Sequence, residues 1–285
     1  MKKTIVLILA ININFLGLIA QDLVLIKGGQ FQMGCSDSIC DSDEAPIHTV
    51  KLDDFYIGNY EVTYSQYCDF LNAHLSDTTE LIKKWINING KGNDNCKIYR
   101  DSNEYKVESG FENHPVVFVS WFGAKSYCDW KGYRLPTEAE WEYTAKSGKD
   151  YRYSWGNGNP TKQNGGNIGD ETLIKEFNKP DWRIWTGYSD GYATSAPVGS
   201  FAPNEFGVYD MTGNVSEWCA DYYDKDYYKI SAEANPQGPE NGKNRVLRDG
   251  AWGNDPKSIR ITNRTSFPPN IKFWLIGFRV AKDAD

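Results

Sequence analysis

The sequence predicts one irregular α+β domain that is rich in loops and contains few helices. Only three segments carry clear helix signals, and the short apolar stretches elsewhere are bounded by Gly, Asn, Pro and Asp, which favour turns. The 10 Trp, 18 Tyr and 13 Phe residues can supply the dense aromatic core that a loop-rich domain needs. Because no Ser/Pro-rich linker, charge block or repeat marks a boundary, we expect residues 21–285 to form a single domain.

Residues 1–20 have the features of a secretory signal peptide. Lys2 and Lys3 precede an apolar run from Ile5 to Ala20, which ends on a small residue. A buried N-terminal strand is the alternative. The run is too short to span a bilayer, and no cysteine directly follows it at which a lipid could be attached. We therefore expect export to the periplasm or the extracellular space, without insertion into a membrane.

Two of the three expected helices lie in the first half of the chain. Thr63 and Gln66 form a capping box, which predicts a helix that runs to about Leu75. A second helix is expected over Trp121–Trp130, because Gly132 follows it in a position that favours a left-handed cap.

The third helix has the strongest signal of the three. Thr137 caps it, Glu140 completes the capping box, and Gly148 stops it. Short apolar stretches between turn residues are typical of strands, and they occur at Phe31–Met33, Val116–Val119 and Gly277–Val280.

Charge and cysteine content narrow the range of partners. A net charge of -7 repels phosphate backbones, and the basic residues are scattered, so we expect no nucleic acid partner. Among six cysteines, Cys35 and Cys40 are near enough in sequence to pair, although connectivity is not readable from sequence. Cys68 and Cys128 fall on apolar faces of expected helices, where small buried thiols are typical.

A series of motifs occurs in fixed order along the chain. They are residues 28–34 (GGQFQMG), 59–63 (NYEVT), 115–121 (PVVFVSW), 134–142 (RLPTEAEWE), 155–157 (WGN), 207–218 (GVYDMTGNVSEW), 245–248 (RVLR) and 277–279 (GFR). Together they closely resemble the formylglycine-generating enzyme, or sulfatase-modifying factor, family, over about residues 23–280. The resemblance implies an irregular C-type-lectin-like fold. It does not fix the function, because the family includes oxidases, domains attached to other enzymes and ligand-binding proteins.

The resemblance also implies two calcium sites built from loop oxygens, the donors that calcium prefers. The first would comprise two side chains and two backbone carbonyls: Asn167 and Asp190, with Ile168 and Tyr192. The second would comprise the side chains of Asp210 and Glu217 with the carbonyls of Gly213 and Val215. The alternative is that these Asn-Gly and Asp-Gly sequences are simple turns.

Enzymes of the family use two cysteines, five residues apart, to bind copper and to oxidise a sulfatase cysteine to formylglycine. Asn254 and Ile259 occupy those two positions here. Neither an amide nor an alkyl side chain can replace the thiolates that bind Cu(I). Ala251 replaces the neighbouring serine, and Ser216 replaces a tryptophan of the substrate groove. We therefore expect no copper and no formylglycine-generating activity.

Two functions remain open at this stage. The first is a binding or structural module that uses the former substrate groove for a protein, peptide or glycan ligand. Its candidate groove residues are aromatic or cationic: Trp252, Arg260, Arg264, Phe267, Phe273 and Trp274. The second is an oxidoreductase of the family that makes formylglycine, or another family chemistry. Exposure of Phe267, Phe273 and Trp274 around a concave surface would favour the first.

Overall fold

A computed structural model of the protein describes residues 22–92 and 95–284. The expected signal peptide, residues 1–20, lies outside the described residues. Within the described ranges, none of the helices combines the length and apolar character that crossing a bilayer requires.

The described residues contain four small sheets formed by eleven strands. The strands are β1 (Leu23–Ile26), β2 (Gly29–Met33), β3 (His48–Leu52), β4 (Phe55–Gly58), β5 (Ile98–Asp101), β6 (Glu104–Val107), β7 (Ser216–Tyr222), β8 (Arg245–Arg248), β9 (Arg264–Phe267), β10 (Ile276–Gly277) and β11 (Ala281–Asp283). Their orders are β1-β4-β11, β10-β7-β8-β9, β2-β3 and β5-β6. All pairs are antiparallel except β7 with β10.

Five α-helices lie in the described chain, and three of them are those expected from the sequence. They are α1 (Tyr64–Ala73), α2 (Thr79–Trp85), α3 (Trp121–Lys131), α4 (Glu138–Lys146) and α5 (Glu171–Phe177). The capping boxes at Thr63 and Thr137 are both present, and Gly132 caps α3 at a φ of 73°. The sequence analysis missed α2 and α5, each of which has only seven residues.

The expected strands were confirmed only in part. Phe31–Met33 lies in β2. Val116–Val119 is not a strand: Phe118 has a φ of 62°, which breaks the extended backbone, and the segment makes single bridges at its ends. Of Gly277–Val280, only Gly277 belongs to a strand, although Phe278 and Val280 carbonyls still accept backbone hydrogen bonds.

Buried ion pairs hold α4 to the four-stranded sheet. Arg248 of β8 contacts Glu138 at 2.9 Å and Glu142 at 2.8 Å, and both acids lie on α4. Arg264 of β9 binds Glu138 in a bidentate manner, at 2.7 and 2.8 Å. All four side chains are at least 94% buried, so these charges depend on one another for solvation.

The cysteines follow the expected division into paired and buried residues. Cys35 and Cys40 form a disulfide. Cys68 and Cys128 are buried on α1 and α3, among aromatic and aliphatic side chains.

Candidate functional site

The position of the second family cysteine lies in an apolar cluster. Ile259 is fully buried and packs with Tyr153, Ile168 and Tyr188. Its side chain therefore has a packing role, and it offers no donor atom to a metal.

The position of the first family cysteine lies at a cavity wall. Asn254 Oδ1 accepts a hydrogen bond from Ala251 N at 2.7 Å, and Asn254 O accepts one from Gly169 N at 3.0 Å. A Cβ on Gly169 would lie 2.5 Å from Asn254 O, so only glycine allows this approach. Asn254 therefore fixes the shape of its own loop. The neighbouring Ala251 is fully buried.

A cavity of about 390 Å³ opens beside Asn254. Its wall combines aromatic, charged and amide side chains, among them Trp182, Trp274, Asp181, Arg183 and Asp255. The cavity therefore offers aromatic surface and polar groups of both signs to a molecule that enters it.

A row of aromatic rings runs from the cavity into the interior. Phe273 and Trp274 have ring centroids 5.4 Å apart, Trp274 and Trp252 are 5.1 Å apart, and Trp252 and Phe177 are 6.1 Å apart. Phe273 is 39% exposed, whereas Trp252 is 1% exposed. Because each ring is held by the next, the outer rings are positioned before any ligand arrives.

Three of the six expected groove residues do not line an open surface, so that part of the expectation is wrong. Arg260 is 1% exposed and binds Glu44 at 2.6 and 2.7 Å. Arg264 is 6% exposed and is committed to the Glu138 pair described above. Trp252 is covered by its aromatic neighbours. A buried charge needs a partner. For Arg260 and for Arg264 that partner is a carboxylate far away in the sequence.

The remaining groove candidates reach the surface. Phe267 is 40% exposed, Phe273 is 39% exposed, and Trp274 is half-buried at the cavity wall. Ser216, in place of the groove tryptophan, is buried, and its hydroxyl donates to Asp249 O at 3.4 Å.

The second expected calcium loop contains acidic side chains that interact with Arg279. Both oxygens of Glu217 accept hydrogen bonds from Arg279 at 2.7 Å, and Trp141 Nε1 donates to one of them at 2.8 Å. Burial raises the pKa of Asp210 to about 6. The carbonyl residues Gly213 and Val215 follow Asp210 on the same loop; Val215 is fully buried.

The sequence analysis missed Glu61 as part of this loop cluster. Glu61 is 1% exposed, Asn214 Nδ2 donates to its Oε2 at 3.3 Å, and its Oε1 has no hydrogen-bond partner among the described residues. Burial, and then the charges of Asp210 and Glu217, raise the pKa of Glu61 well above its usual range. The available signal was an acid between Tyr60 and Val62, two residues before the helix cap Thr63.

The first expected calcium loop brings its four residues together. Asp190 accepts hydrogen bonds from Ile168 N at 3.0 Å and from Tyr192 N at 2.7 Å. Burial, and then the charge of Asp170, raise the pKa of Asp190 to about 8. Asn167 Oδ1 is buried and finds no partner in the described part of the chain.

The two loops contact each other through Asn167 and Asn214. Asn214 N donates to Asn167 O at 2.7 Å, and Asn167 Nδ2 donates to Asn214 Oδ1 at 3.1 Å. Gly213, with a φ of 96°, permits this contact, because a Cβ there would lie 2.2 Å from Asn167 O.

The two loops offer oxygen atoms, the donor type that calcium prefers, and the copper positions offer no thiolate. The oxygens include the carboxylates of Asp190 and Asp210 and the unpartnered atoms of Glu61 and Asn167. The copper positions present an amide engaged with Ala251 N and a buried alkyl group, and a soft ion requires thiolates.

Comparison with known proteins identifies the family. Residues 18–284 match the Sulfatase-modifying factor enzyme 1-like domain. The chain belongs to the sulfatase-modifying factor family. Within this family, it is 35% identical over 308 residues to the formylglycine-generating enzyme of Thermomonospora curvata, with 93% of this chain and 94% of that protein covered.

Two further relatives of the sulfatase-modifying factor family define the extent of the likeness. The chain is 35% identical over 268 residues to the serine/threonine-protein kinase pkn1 of Chlamydia pneumoniae; this covers 93% of the chain but 38% of that relative's length. The structure of PvdO from Pseudomonas aeruginosa is similar with a TM-score of 0.68 and 28% identity, over 92% of this chain and 94% of that chain. The expected loop-rich, C-type-lectin-like fold of the formylglycine-generating enzymes is confirmed.

Proposed function

We propose that this protein is an exported binding module of the sulfatase-modifying factor family. It has no copper oxidase site, and it uses the former substrate groove to bind a protein, peptide or glycan segment. The observation that carries the proposal is the state of Asn254: its amide oxygen is engaged with Ala251 N on the wall of a cavity of about 390 Å³.

Loss of oxidase chemistry follows from the donor atoms. Copper, when bound in the family, supplies the site at which molecular oxygen is used, and two thiolates hold it. Asn254 and Ile259 supply none. Cys219 is no substitute, because it is fully buried and burial raises the pKa of its thiol well above the usual range, so no thiolate forms there.

Binding is supported by the composition of the cavity rim. The rings of Trp182 and Trp274 can stack on a side chain or on the apolar face of a sugar. Asp181, Arg183 and Asp255 can bind polar groups of either sign. Phe273 extends the aromatic surface away from the cavity. Aromatic and arginine side chains in such a setting are the residue types that contribute most to binding.

Calcium is proposed as a structural component of the same module. Glu61, Asp210 and Glu217 would hold one ion with the carbonyls of Gly213 and Val215. Asn167 and Asp190 would hold another with the carbonyls of Ile168 and Tyr192. Calcium, when bound, would supply positive charge to the buried oxygens. It would also order the loop of residues 210–217, which precedes the cavity-lining residues 253–255 in the chain.

The first test measures oxidation directly. The protein, loaded with copper under air, is incubated with a cysteine peptide of sulfatase sequence, beside the Thermomonospora curvata relative as a positive control. We expect no aldehyde above the enzyme-free background. Aldehyde formation by this protein would overturn the loss of oxidase function.

The second test measures binding on peptide and glycan arrays. We expect Trp274→Ala to lose at least about tenfold in affinity for the ligands retained by the unchanged protein, which is the size of effect typical of a central aromatic residue. Trp130→Ala is the matched control. Trp130 is also partly exposed, at 37%, but it packs on Phe70 and Tyr127 and not at the cavity. Equal loss in both variants, or none in Trp274→Ala, would contradict binding at the cavity.

A further inference from the structure

The Cys35–Cys40 disulfide lies at the surface, outside the groove. It closes a short loop between β2 and the 3-10 helix Ser42–Glu44. Both cysteines are half-exposed, and the loop between them, residues 36–39, is exposed. The small loop means that opening the bond releases little chain entropy, so the bond contributes little to holding the fold together.

Two cavities reach the cysteines of this bond. One of about 290 Å³ is lined by both cysteines together with Asp150, Arg152 and Asp37. Another of about 510 Å³ is lined by Cys40 with Lys257. Spaces of this size admit a small molecule, and their walls carry both acidic and basic groups. Free cysteine is a zwitterionic thiol small enough for these cavities, and the Asp150 carboxylate in the wall of the first can accept a hydrogen bond from its ammonium group.

Arg260 stabilises negative charge on one sulfur of the pair. Its Nη1 lies 3.4 Å from Cys40 Sγ. The guanidinium is held in place by two hydrogen bonds to Glu44, so it faces the sulfur without reorganisation. A cationic donor beside a sulfur makes it a better leaving thiolate.

The other charges around the bond offset each other. A carboxylate oxygen of Glu44 lies within 4.8 Å of the Sγ atoms of both cysteines. Both oxygens of this carboxylate, however, already accept hydrogen bonds from Arg260. Asp41 pairs with Lys257 at 2.7 Å, and Asp37 pairs with Arg152 at 3.6 Å. The direct contact from Arg260 is therefore the interaction that distinguishes Cys40 from Cys35.

We propose that Cys35–Cys40 is a thiol–disulfide exchange site for small zwitterionic thiols. The thiolate of the incoming thiol attacks Cys35 Sγ, the protein S–S bond breaks, and Cys40 leaves as a thiolate beside Arg260. The thiolate of a second thiol then attacks the small-molecule sulfur of the mixed disulfide, Cys35 leaves as a thiolate, and a small-molecule disulfide is released; each protein thiolate takes up the proton that one incoming thiol gave up. In sum, two thiols are oxidised and one protein disulfide is reduced to two thiols; a small-molecule disulfide reverses the reaction.

The exchange is measured on the whole protein in cysteine/cystine buffers of stepped ratio. Differential alkylation and mass spectrometry report the redox state of Cys35 and Cys40, and tryptophan fluorescence reports the fold. We expect reversible conversion with an unchanged fluorescence spectrum, whereas Cys68, Cys128 and Cys219 stay unmodified because they are buried. A bond that resists excess cysteine, or that opens only as the fold is lost, would overturn the proposal.

The role of Arg260 is tested on the Cys40 thiol without its disulfide partner, and peptide mass spectrometry reads it separately from Cys96, which is also partly exposed. In Cys35→Ser, iodoacetamide should react with Cys40 at lower pH than in Cys35→Ser combined with Arg260→Gln. Because Arg260→Gln leaves Glu44 without its partner and could prevent folding, Arg260→Lys in the same background provides a second comparison, with an intermediate profile expected. Identical pH profiles in all folded variants would remove Arg260 from the mechanism and overturn the assignment of Cys40 as the leaving thiol.

Discussion

At the scale of single residues, the most unusual group is the set of buried acids around Arg279. Glu61, Asp210 and Glu217 all interact with this one guanidinium, and Glu217 accepts two of its four hydrogen bonds, while the other two go to the carbonyls of Gly58 and Tyr209. The raised pKa values of Glu61 and Asp210 mean that these two acids keep their protons to higher pH than exposed carboxyl groups do.

This arrangement predicts an inverted pH dependence of stability in the absence of calcium. Burial raises the pKa of Asp210 to about 6 and of Asp190 to about 8. A raised folded-state pKa of an acid gives stability at low pH that is lost as the pH rises through that value. In chelator, unfolding at pH 5.5 should therefore cost about 1–3 kcal/mol more than at pH 7.5. Saturating calcium should remove this gain in stability at low pH, because a proton that binds to a ligand carboxylate then displaces calcium from it.

Glu61→Gln is a control variant for the effect of calcium, which is measured by thermal unfolding. The substitution removes one charged oxygen donor, so the rise in Tm on adding calcium should be smaller than in the unchanged protein. An equal rise in both proteins would show that Glu61 is not a ligand.

The residue scale is also where the sequence was least informative. An arginine in a sequence predicts a surface cation, yet Arg260 is buried, and its guanidinium is held by Glu44, 216 residues away in the sequence. Glu61 was missed for the same reason, since its environment comes from Asp210 and Glu217. Long-range pairing of charges leaves no local pattern to read.

At the scale of elements, capping chemistry was readable and packing was not. α1 and α4 begin directly after their expected N-cap residues, and α3 ends at the expected Gly132 cap. α2 and α5 have seven residues each, which is too few for an apolar period to stand out in the sequence, and α2 packs on α3. The Val116–Val119 segment is apolar because it is buried on all sides, which is a property that strands and irregular core segments share.

The loop elements predict a contrast between two glycines. Gly213→Ala should cost about 3 kcal/mol or more, because its φ is 96° and the new Cβ would lie 2.2 Å from Asn167 O. Gly207→Ala should cost only about 1 kcal/mol. Its φ of 77° is also unfavourable, but among the described residues no atom beyond its two chain neighbours lies within 4 Å of the new Cβ. Urea unfolding in chelator measures both, and equal losses would contradict the proposed close contact.

At the scale of the whole molecule, α4, β8 and β9 are joined by the Glu138 network. Glu138→Gln leaves Arg248 and Arg264 buried without a full counter-charge, so it should cost about 3–5 kcal/mol in unfolding free energy. Glu80→Gln removes an exposed pair with Lys83 and should change it by less than about 0.5 kcal/mol. Similar values for the two variants would show that the buried network does not hold these elements together.

The hydrogen bonds between Asn167 and Asn214 have a consequence for how the molecule responds to its surroundings. A cation that orders one loop also restrains the other, so the second ion meets a loop whose freedom is already reduced. The two proposed calcium sites would therefore act as a homotropic pair. Such a pair changes from empty to filled over a narrower span of calcium concentration than two independent sites, and it would couple the order of the groove to the calcium concentration.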